Sequence, residues 1–214
     1  MKNSLLLLLL VWIIGGCTSA NNEINLPYYT EANFTPQWLD QEKVEGIHRV
    51  ADFTLTNQDG QQISNGDLKG KIYVTNFFFT ICPTICPKMT NNLQRIQEAF
   101  PEDDDVLLVS HTVMPWVDSV AVLKEFAERN QINSNKWHLL TGDKDLIYSL
   151  GRTSYFADEG FGKSVTDESD FLHTENIVLV DADQHIRGVY NGTLPLEMTR
   201  LIEDIGRLKK ELGS

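Results

Sequence analysis

Two cysteines separated by three residues, Cys82 and Cys86, are the residues of this chain best suited to chemistry. A pair of thiols at this spacing can close into a redox-active disulfide, or it can hold one soft metal ion such as Cu(I). A purely structural disulfide is the less favoured interpretation, because closing so small a loop adds little stability. The third cysteine, Cys17, lies close to the N-terminus and calls for a separate explanation.

The elements around the pair predict that it lies on a turn between a strand and a helix. Residues 72–79 form an apolar run typical of a buried strand, and apolar residues recur at helical spacing over 88–100. Pro87 favours the first position of a helix, which would put Cys86 at the N-cap and Cys82 on the preceding loop. Amide N–H groups and the helix dipole at such a place favour a thiolate over a thiol.

His173 is the candidate for a third ligand to an ion held by the two cysteines. It precedes a predicted strand over 176–180, which is where thioredoxins place the cis-proline that faces their cysteines. No proline occurs between Pro115 and Pro195, so a histidine stands where that substrate-gripping element would be. The presence of a histidine in place of the proline favours a metal site over a dithiol reductant. Two thiolates and an imidazole are ligands that suit copper.

The order of predicted elements is that of a thioredoxin-like α/β fold, with a mixed central sheet flanked by helices and an added N-terminal β-hairpin. The hairpin is predicted over residues 51–63, around an Asp-Gly turn. The remaining strands are predicted at 72–79, 106–110, 137–140, 176–180 and 185–190, and the helices at 88–100, 118–130, 143–150 and 195–212. The polar residues 151–170 predict a long loop. The cysteines would follow the first core strand, at the edge where ligand sites of open α/β sheets gather.

The first residues predict a secretion signal with a site for lipid attachment. Lys2 precedes an apolar run over residues 5–14, which is too short to span a bilayer because a spanning helix needs roughly 20 residues. Residues 14–17, Ile-Gly-Gly-Cys, resemble the bacterial lipobox, whose cysteine becomes a diacylated N-terminus. Ordinary cleavage after Ala20 is the alternative. We therefore expect Cys17 to be lipidated.

These signals divide the chain into a signal peptide over residues 1–16, a tether over 17–46 and one thioredoxin-like domain over 47–214. Export places the domain in the bacterial cell envelope, lipid-anchored and facing the periplasm or the outside of the cytoplasmic membrane. A thiol pair can be oxidised there.

The acidic balance of the chain narrows the class of partner. The net charge is −12 at pH 7, and the sequence has no cluster of lysine and arginine. We therefore expect neither nucleic acid nor an anionic membrane surface as a partner, whereas a cation or a basic protein is compatible with this charge.

The residues around the cysteines resemble the Sco (SenC/PrrC) family. The likeness spans about Ala51 to Ile205, with His173 ahead of a predicted hairpin, and is strongest in the motif Phe78-Phe79-Thr80-Ile81-Cys82-Pro83-Thr84-Ile85-Cys86-Pro87. The resemblance implies a thioredoxin-like, membrane-anchored copper chaperone that binds Cu(I) or Cu(II) through Cys82, Cys86 and His173. It also implies that the protein delivers copper, or reduced thiols, to the dinuclear copper centre of cytochrome c oxidase subunit II. Another cuproprotein could be served instead.

One departure from the family pattern follows the second core strand. The family usually has an Asp-Pro pair there, whereas this chain has Met114-Pro115, and Asp118 matches a later acidic position. Imidazole and thioether both bind copper, so His111 and Met114 are candidate auxiliary ligands. Packing is the more common role for such residues.

Two functions stay open on this sequence. The first is a copper chaperone, a binding protein without turnover, and the second is an extracytoplasmic thiol–disulfide oxidoreductase that uses the same cysteine pair. Loss of His173 separates them, because a simple reductase does not need the imidazole. A peroxiredoxin is excluded, since that family has threonine three residues before its reactive cysteine and positions 79 and 83 are phenylalanine and proline.

Overall fold

Residues 25–157 and 174–213 are described by the computed structural model of the protein. Their strands are β1 (Thr54–Thr56), β2 (Gln62–Ser64), β3 (Ile72–Phe78), β4 (Val106–Thr112), β5 (Trp137–Leu140), β6 (Asn176–Val180) and β7 (Ile186–Asn191). Their α-helices are α1 (Asn65–Leu68), α2 (Ile85–Ala99), α3 (Val120–Arg129), α4 (Lys144–Ser149) and α5 (Pro195–Leu212). A 3-10 turn covers Gln41–Lys43, and a π-helical turn covers Leu150–Ser154.

Strands β3 to β7 form a mixed sheet in the order β5-β4-β3-β6-β7, and β1 pairs with β2 in a separate hairpin. A single bridge between Thr56 of β1 and Thr141 joins this hairpin to the segment after β5. The first three strands of the sheet are parallel, while β6 and β7 are antiparallel to their neighbours. Phe78 at the end of β3 therefore lies beside Thr112 at the end of β4, and β6 begins and β7 ends at the same side. We call this side of the sheet the cysteine edge, because the segment after β3 carries the two cysteines.

Each face of the sheet is covered by its own hydrophobic layer. Helices α2, α3 and α5 pack on the face that carries Val74 and Phe78. The hairpin, α1 and α4 pack on the opposite face, which carries Tyr73 and Phe77. All residues of β3 and β4 are buried, as expected for central strands covered on both sides. This layout confirms the predicted mixed sheet with flanking helices and an added hairpin.

Two predicted boundaries next to the cysteines are wrong. Helix α2 begins at Ile85, so Cys86 lies inside its first turn, and Thr84 rather than Cys86 is the flanking residue. Pro87 fits the third helical position because none of the first four N–H groups of a helix has an acceptor within the helix. Strand β4 continues two residues beyond the predicted end, through His111 to Thr112, since both side chains are buried despite their polarity.

Part of the predicted tether packs against the domain. Leu26 is buried, and the guanidinium of Arg187 on β7 donates hydrogen bonds to the backbone oxygens of Leu26 (2.6 Å) and Pro27 (3.2 Å). The domain limits drawn from the sequence stay a prediction. Across residues 25–157 and 174–213, we find no helix that combines the length and the apolar character needed to cross a bilayer.

Candidate functional site

The cysteine loop, residues 79–84, turns from β3 into α2 and brings the two thiols together. Cys82 is half-buried and Cys86 is buried, and both are free thiols. The backbone N–H of Cys86 donates to the sulfur of Cys82 at 3.4 Å. The loop itself is a tight turn, since the N–H of Cys82 donates to the oxygen of Phe79 at 3.3 Å. The pair therefore meets at the beginning of a long helix.

The two thiols have opposite electrostatic surroundings. Burial by itself would raise the pKa of Cys82, but the backbone N–H groups of Cys86, Thr84 and Ile85 point at its sulfur and bring its pKa below the ordinary value. Burial raises the pKa of Cys86 to about 12. Of the two thiols, Cys82 therefore loses its proton at the lower pH, and it is also the more accessible sulfur. The corrected start of α2 explains this, because the free N–H groups of its first turn surround Cys82 rather than Cys86.

A cavity of about 270 Å³ opens at the cysteine edge beside the two thiols. Its walls are mainly apolar, with the three phenylalanines at 77–79 and Val113 among them. Glu175 contributes the acidic group of the lining, and its carboxylate accepts a hydrogen bond from the side chain of Asn191 at 2.9 Å. A small cavity that joins two soft sulfur donors to an apolar wall can shelter an ion or accept a partner's side chain.

Two of the predicted site residues, His173 and Cys17, lie outside the described residues, as do residues 158–170 of the predicted loop. The chain is described again from Thr174, which lines the cavity together with Glu175. The residue directly after His173 is therefore part of the same cavity as the cysteines.

The two candidate auxiliary ligands lie elsewhere. His111 is fully buried on the opposite face of the sheet, where its ring stacks on Phe77 at a centroid distance of 5.2 Å and contacts Phe53 and Tyr155. Burial lowers its pKa to about 3, and neither ring nitrogen has a hydrogen-bond partner among the described residues. Met114 packs on the same layer. Neither residue lines the cavity, and the described residues contain no group of three or more His, Cys, Asp or Glu arranged to hold a metal ion.

One residue of the site was not recognised from the sequence. In the sequence, Asp118 stands out only as a match to an acidic family position. In the structure Ser119 is the cap of α3, and the Asp118 carboxylate is fully buried and bonded to the cysteine loop. No local pattern could have revealed this contact, because its partner Thr80 is 38 positions away in the chain.

Comparison with known proteins places these features in a family. The model of the SCO1/SenC family matches residues 41–210. A SCO1/SenC family lipoprotein from Bacillus anthracis str. Ames is 31% identical, with a TM-score of 0.65, 75% of this chain covered and 95% of the other. The structure of BsSco, a member of the Sco family of cytochrome c oxidase assembly proteins with an identified disulfide switch, is 29% identical, with a TM-score of 0.64 and coverages of 76% and 94%.

Bradyrhizobium japonicum ScoI, whose structure has copper bound, is 27% identical, with a TM-score of 0.56 and coverages of 72% and 98%. The agreement with these structures confirms the thioredoxin-like fold. The family match includes the cysteine loop, the cavity beside it and the chain segment that leads to His173. This chain belongs to the SCO1/SenC family.

Proposed function

We propose that this protein is a copper metallochaperone that assists assembly of the dinuclear copper centre of cytochrome c oxidase subunit II. Its cargo would be Cu(I) or Cu(II), held by Cys82, Cys86 and His173. The observation that carries the proposal is the pair of adjacent sulfurs at the mouth of a small cavity. The copper bound to Bradyrhizobium japonicum ScoI and the description of BsSco as an oxidase assembly protein support it.

The donor set fits copper by its chemistry. Two thiolates are soft ligands that bind Cu(I) well, and an imidazole completes a three-coordinate site. The lowered pKa of Cys82 favours its thiolate, whereas Cys86 must lose a proton on binding because of its raised pKa. Loading would therefore release a proton from Cys86. Since Cys82 is accessible, a receiving protein could replace this ligand first and the buried Cys86 afterwards.

Anaerobic titration of the reduced protein with Cu(I), in competition with a chromophoric chelator, tests the site. We expect one tightly bound ion per chain, lost in Cys82→Ala and in Cys86→Ala and weakened in His173→Ala. His138→Ala is the matched control, because His138 lies on β5 outside the cavity and its loss should leave binding unchanged. Stoichiometric binding that survives the loss of either cysteine would refute the site.

A second candidate function is thiol–disulfide exchange by the same pair. The lowered pKa of Cys82 beside the buried Cys86 favours it, as does the disulfide switch identified in BsSco. The His173→Ala variant separates the two functions, since it should lose copper while retaining exchange with glutathione. A wild-type protein that exchanges thiols but does not bind Cu(I) would leave the oxidoreductase as the function.

We also propose that Cys17 carries a lipid and anchors the domain to a bacterial envelope membrane. The lipobox-like residues 14–17 support this, and the Bacillus anthracis relative is described as a lipoprotein. Mass spectrometry of the mature protein should find a diacylated N-terminal cysteine. An unmodified N-terminus at Asn21 would contradict the anchor.

A further inference from the structure

A buried carboxylate connects the cysteine loop to the end of the neighbouring strand. Asp118 is fully buried, and its Oδ1 accepts a hydrogen bond from the hydroxyl of Thr80 at 2.5 Å. Its Oδ2 accepts from the backbone N–H of Thr80 at 3.3 Å and also from the hydroxyl of Thr112. The Asp118 carboxylate thus accepts hydrogen bonds from both the backbone and the side chain of Thr80 in the loop. Because it also accepts from Thr112, it links the loop to the last residue of β4.

The position of this carboxylate is itself fixed by a tight turn. The N–H groups of Val117 and Asp118 both donate to the backbone oxygen of Met114, at 2.8 Å and 2.9 Å. The hydroxyl of Thr112 accepts from the N–H of Met114 at 3.0 Å while it donates to Asp118. Ser119 caps α3, so the Asp118 carboxylate is not needed there. A buried carboxylate costs free energy unless its oxygens are bonded, and here the bonds go to the cysteine loop.

Thr80 lies two residues before Cys82, whose own N–H donates to the backbone oxygen of Phe79 in the same turn. We propose that Asp118 is a positioning residue, which fixes the cysteine loop against β4 and so sets how closely the sulfur of Cys82 approaches that of Cys86. Asp118 does not line the cavity, and it acts through Thr80. The inference rests on the proposed use of the pair, but not on copper.

Loss of this contact should appear in the thiol–disulfide equilibrium of the pair. In a glutathione buffer, two glutathione thiols reduce the Cys82–Cys86 disulfide to two thiols and leave as glutathione disulfide. A more mobile loop brings the sulfurs of Cys82 and Cys86 within bonding distance less often, so the disulfide becomes easier to reduce. For Asp118→Ala we expect the equilibrium constant for disulfide formation to fall about tenfold, which raises the reduction potential by about 30 mV.

The experiment uses the full chain with Cys17→Ser, so that only one intramolecular pair can form. The protein is equilibrated with glutathione buffers of known ratio, the free thiols are trapped by alkylation, and the reduced fraction is read by mass spectrometry. Asp204→Ala is the matched control, because Asp204 is another buried carboxylate, but it accepts its hydrogen bonds from Tyr190 (2.9 Å) and Arg207 (3.1 Å) rather than from the cysteine loop. We expect it to lower the stability but to leave the equilibrium constant within twofold.

Milder variants keep the proposal testable if Asp118→Ala does not fold. Thr80→Val removes one hydroxyl and Asp118→Asn keeps an acceptor for the Thr80 N–H, so each should lower the equilibrium constant by about three- to fivefold rather than tenfold. In a double-mutant cycle the two shifts should not add, since both variants break the same contact. Values within twofold of the parent for both variants, or strictly additive shifts, would overturn the proposal. The copper titration is separate, so failure of either idea can be recognised without the other.

Discussion

At the scale of single residues, the pKa values of Cys82 and Cys86 are shifted in opposite directions although the two thiols are neighbours in space. The pKa of Cys82 is lowered by backbone N–H groups, whereas burial raises that of Cys86 to about 12. A lowered pKa means that the reactive thiolate is present at a lower pH than for an ordinary cysteine. The sulfur that a reagent or a partner meets first is therefore Cys82.

Alkylation of the reduced protein tests this difference. With iodoacetamide at pH 7, we expect Cys82 to be modified first and Cys86 to be modified only slowly, with a rate that rises towards pH 12. Peptide mapping by mass spectrometry measures both sites, and Cys86→Ser and Cys82→Ser give each rate alone. Faster labelling of Cys86 at pH 7 would contradict the assignment.

His111 predicts a pH dependence of stability that does not involve the cysteines. Its pKa is about 3 in the folded protein and near 6.5 when unfolded, so between these values the unfolded state binds more protons. Stability should therefore fall as the pH decreases from 6.5 towards 3, with a slope approaching about 1.4 kcal/mol per pH unit. His111→Phe should show a flatter dependence in urea unfolding at pH 6.5 and 4.5. Parallel curves for the two proteins would show that His111 is not the group responsible.

At the scale of elements, several segments could be predicted to the residue because their patterns are local. β5, β6 and α5 coincide with the apolar runs and the helical spacing in the sequence. The start of α2 differs from the prediction because Pro87 occupies the third helical position and not the first. The end of β4 at Thr112 does not follow from a local apolar pattern, because His111 is covered by Phe77 of β3 and Thr112 is bonded to Asp118 beyond the strand.

The candidate site divides in the same way. The spacing of Cys82 and Cys86 could be recognised in the sequence because both belong to one turn, and their chemistry follows from their residue type. The hydrogen bonds between Thr80 and Asp118 could not be recognised in the sequence, because they join two separate loops through a buried carboxylate. The opposite pKa shifts of the two thiols could not be predicted either, since they depend on the burial of one sulfur and on the amides around the other.

The contact between β7 and the N-terminal segment predicts a strong dependence on one side chain. Arg187 is buried, pairs with Asp181 (3.1 Å) and Glu211 (2.6 Å), and lies over the ring of Tyr28 at 4.0 Å. Arg187→Ala would leave the buried Asp181 without its partner, which should lower the free energy of unfolding by about 3–5 kcal/mol. Chemical denaturation measures this loss, and limited proteolysis should show earlier cleavage near Tyr28.

A matched arginine serves as the control for this variant. Arg207 pairs with Asp204 three residues earlier on α5, but its side chain is largely exposed. Pairs with an exposed partner contribute roughly 0–1 kcal/mol, and Asp204 keeps its hydrogen bond from Tyr190 when Arg207 is lost, so Arg207→Ala should be far milder. Equal losses for the two variants would show that the N-terminal segment is not held by Arg187.

At the scale of the whole molecule, exposed apolar side chains gather where the cysteines are. Ile81, Trp116, Leu194 and Leu196 are exposed, and they follow the ends of β3, β4 and β7 at the cysteine edge. Apolar side chains that surround a reactive pair mark the surface a protein partner would cover. The proposed function therefore places the receiving protein at this edge.

Charged substitutions at this edge should slow delivery to a protein without changing the pair itself. We expect Trp116→Lys and Leu196→Lys to reduce the rate of copper transfer to a soluble subunit II copper domain by about tenfold, which corresponds to about 1.4 kcal/mol. Alkylation of Cys82 by iodoacetamide should keep its parent rate. Trp38→Lys is the control, because the exposure of Trp38 lies between those of Trp116 and Leu196. Its neighbour Gln37 pairs with Tyr28, near the start of β7 at the other edge of the sheet. Equal slowing by all three variants would argue against docking at the cysteine edge.

The turn from Met114 to Asp118 has one further consequence. It presents the indole of Trp116 to the outside and the carboxylate of Asp118 to the cysteine loop, within a single hydrogen-bonded unit. If a partner favours one geometry of this turn, then the state of the sulfurs must alter that partner's affinity by the same factor by which the partner alters theirs. A receiving protein could thus distinguish the copper-loaded form from the copper-free form by its contact with this turn, without contacting the metal.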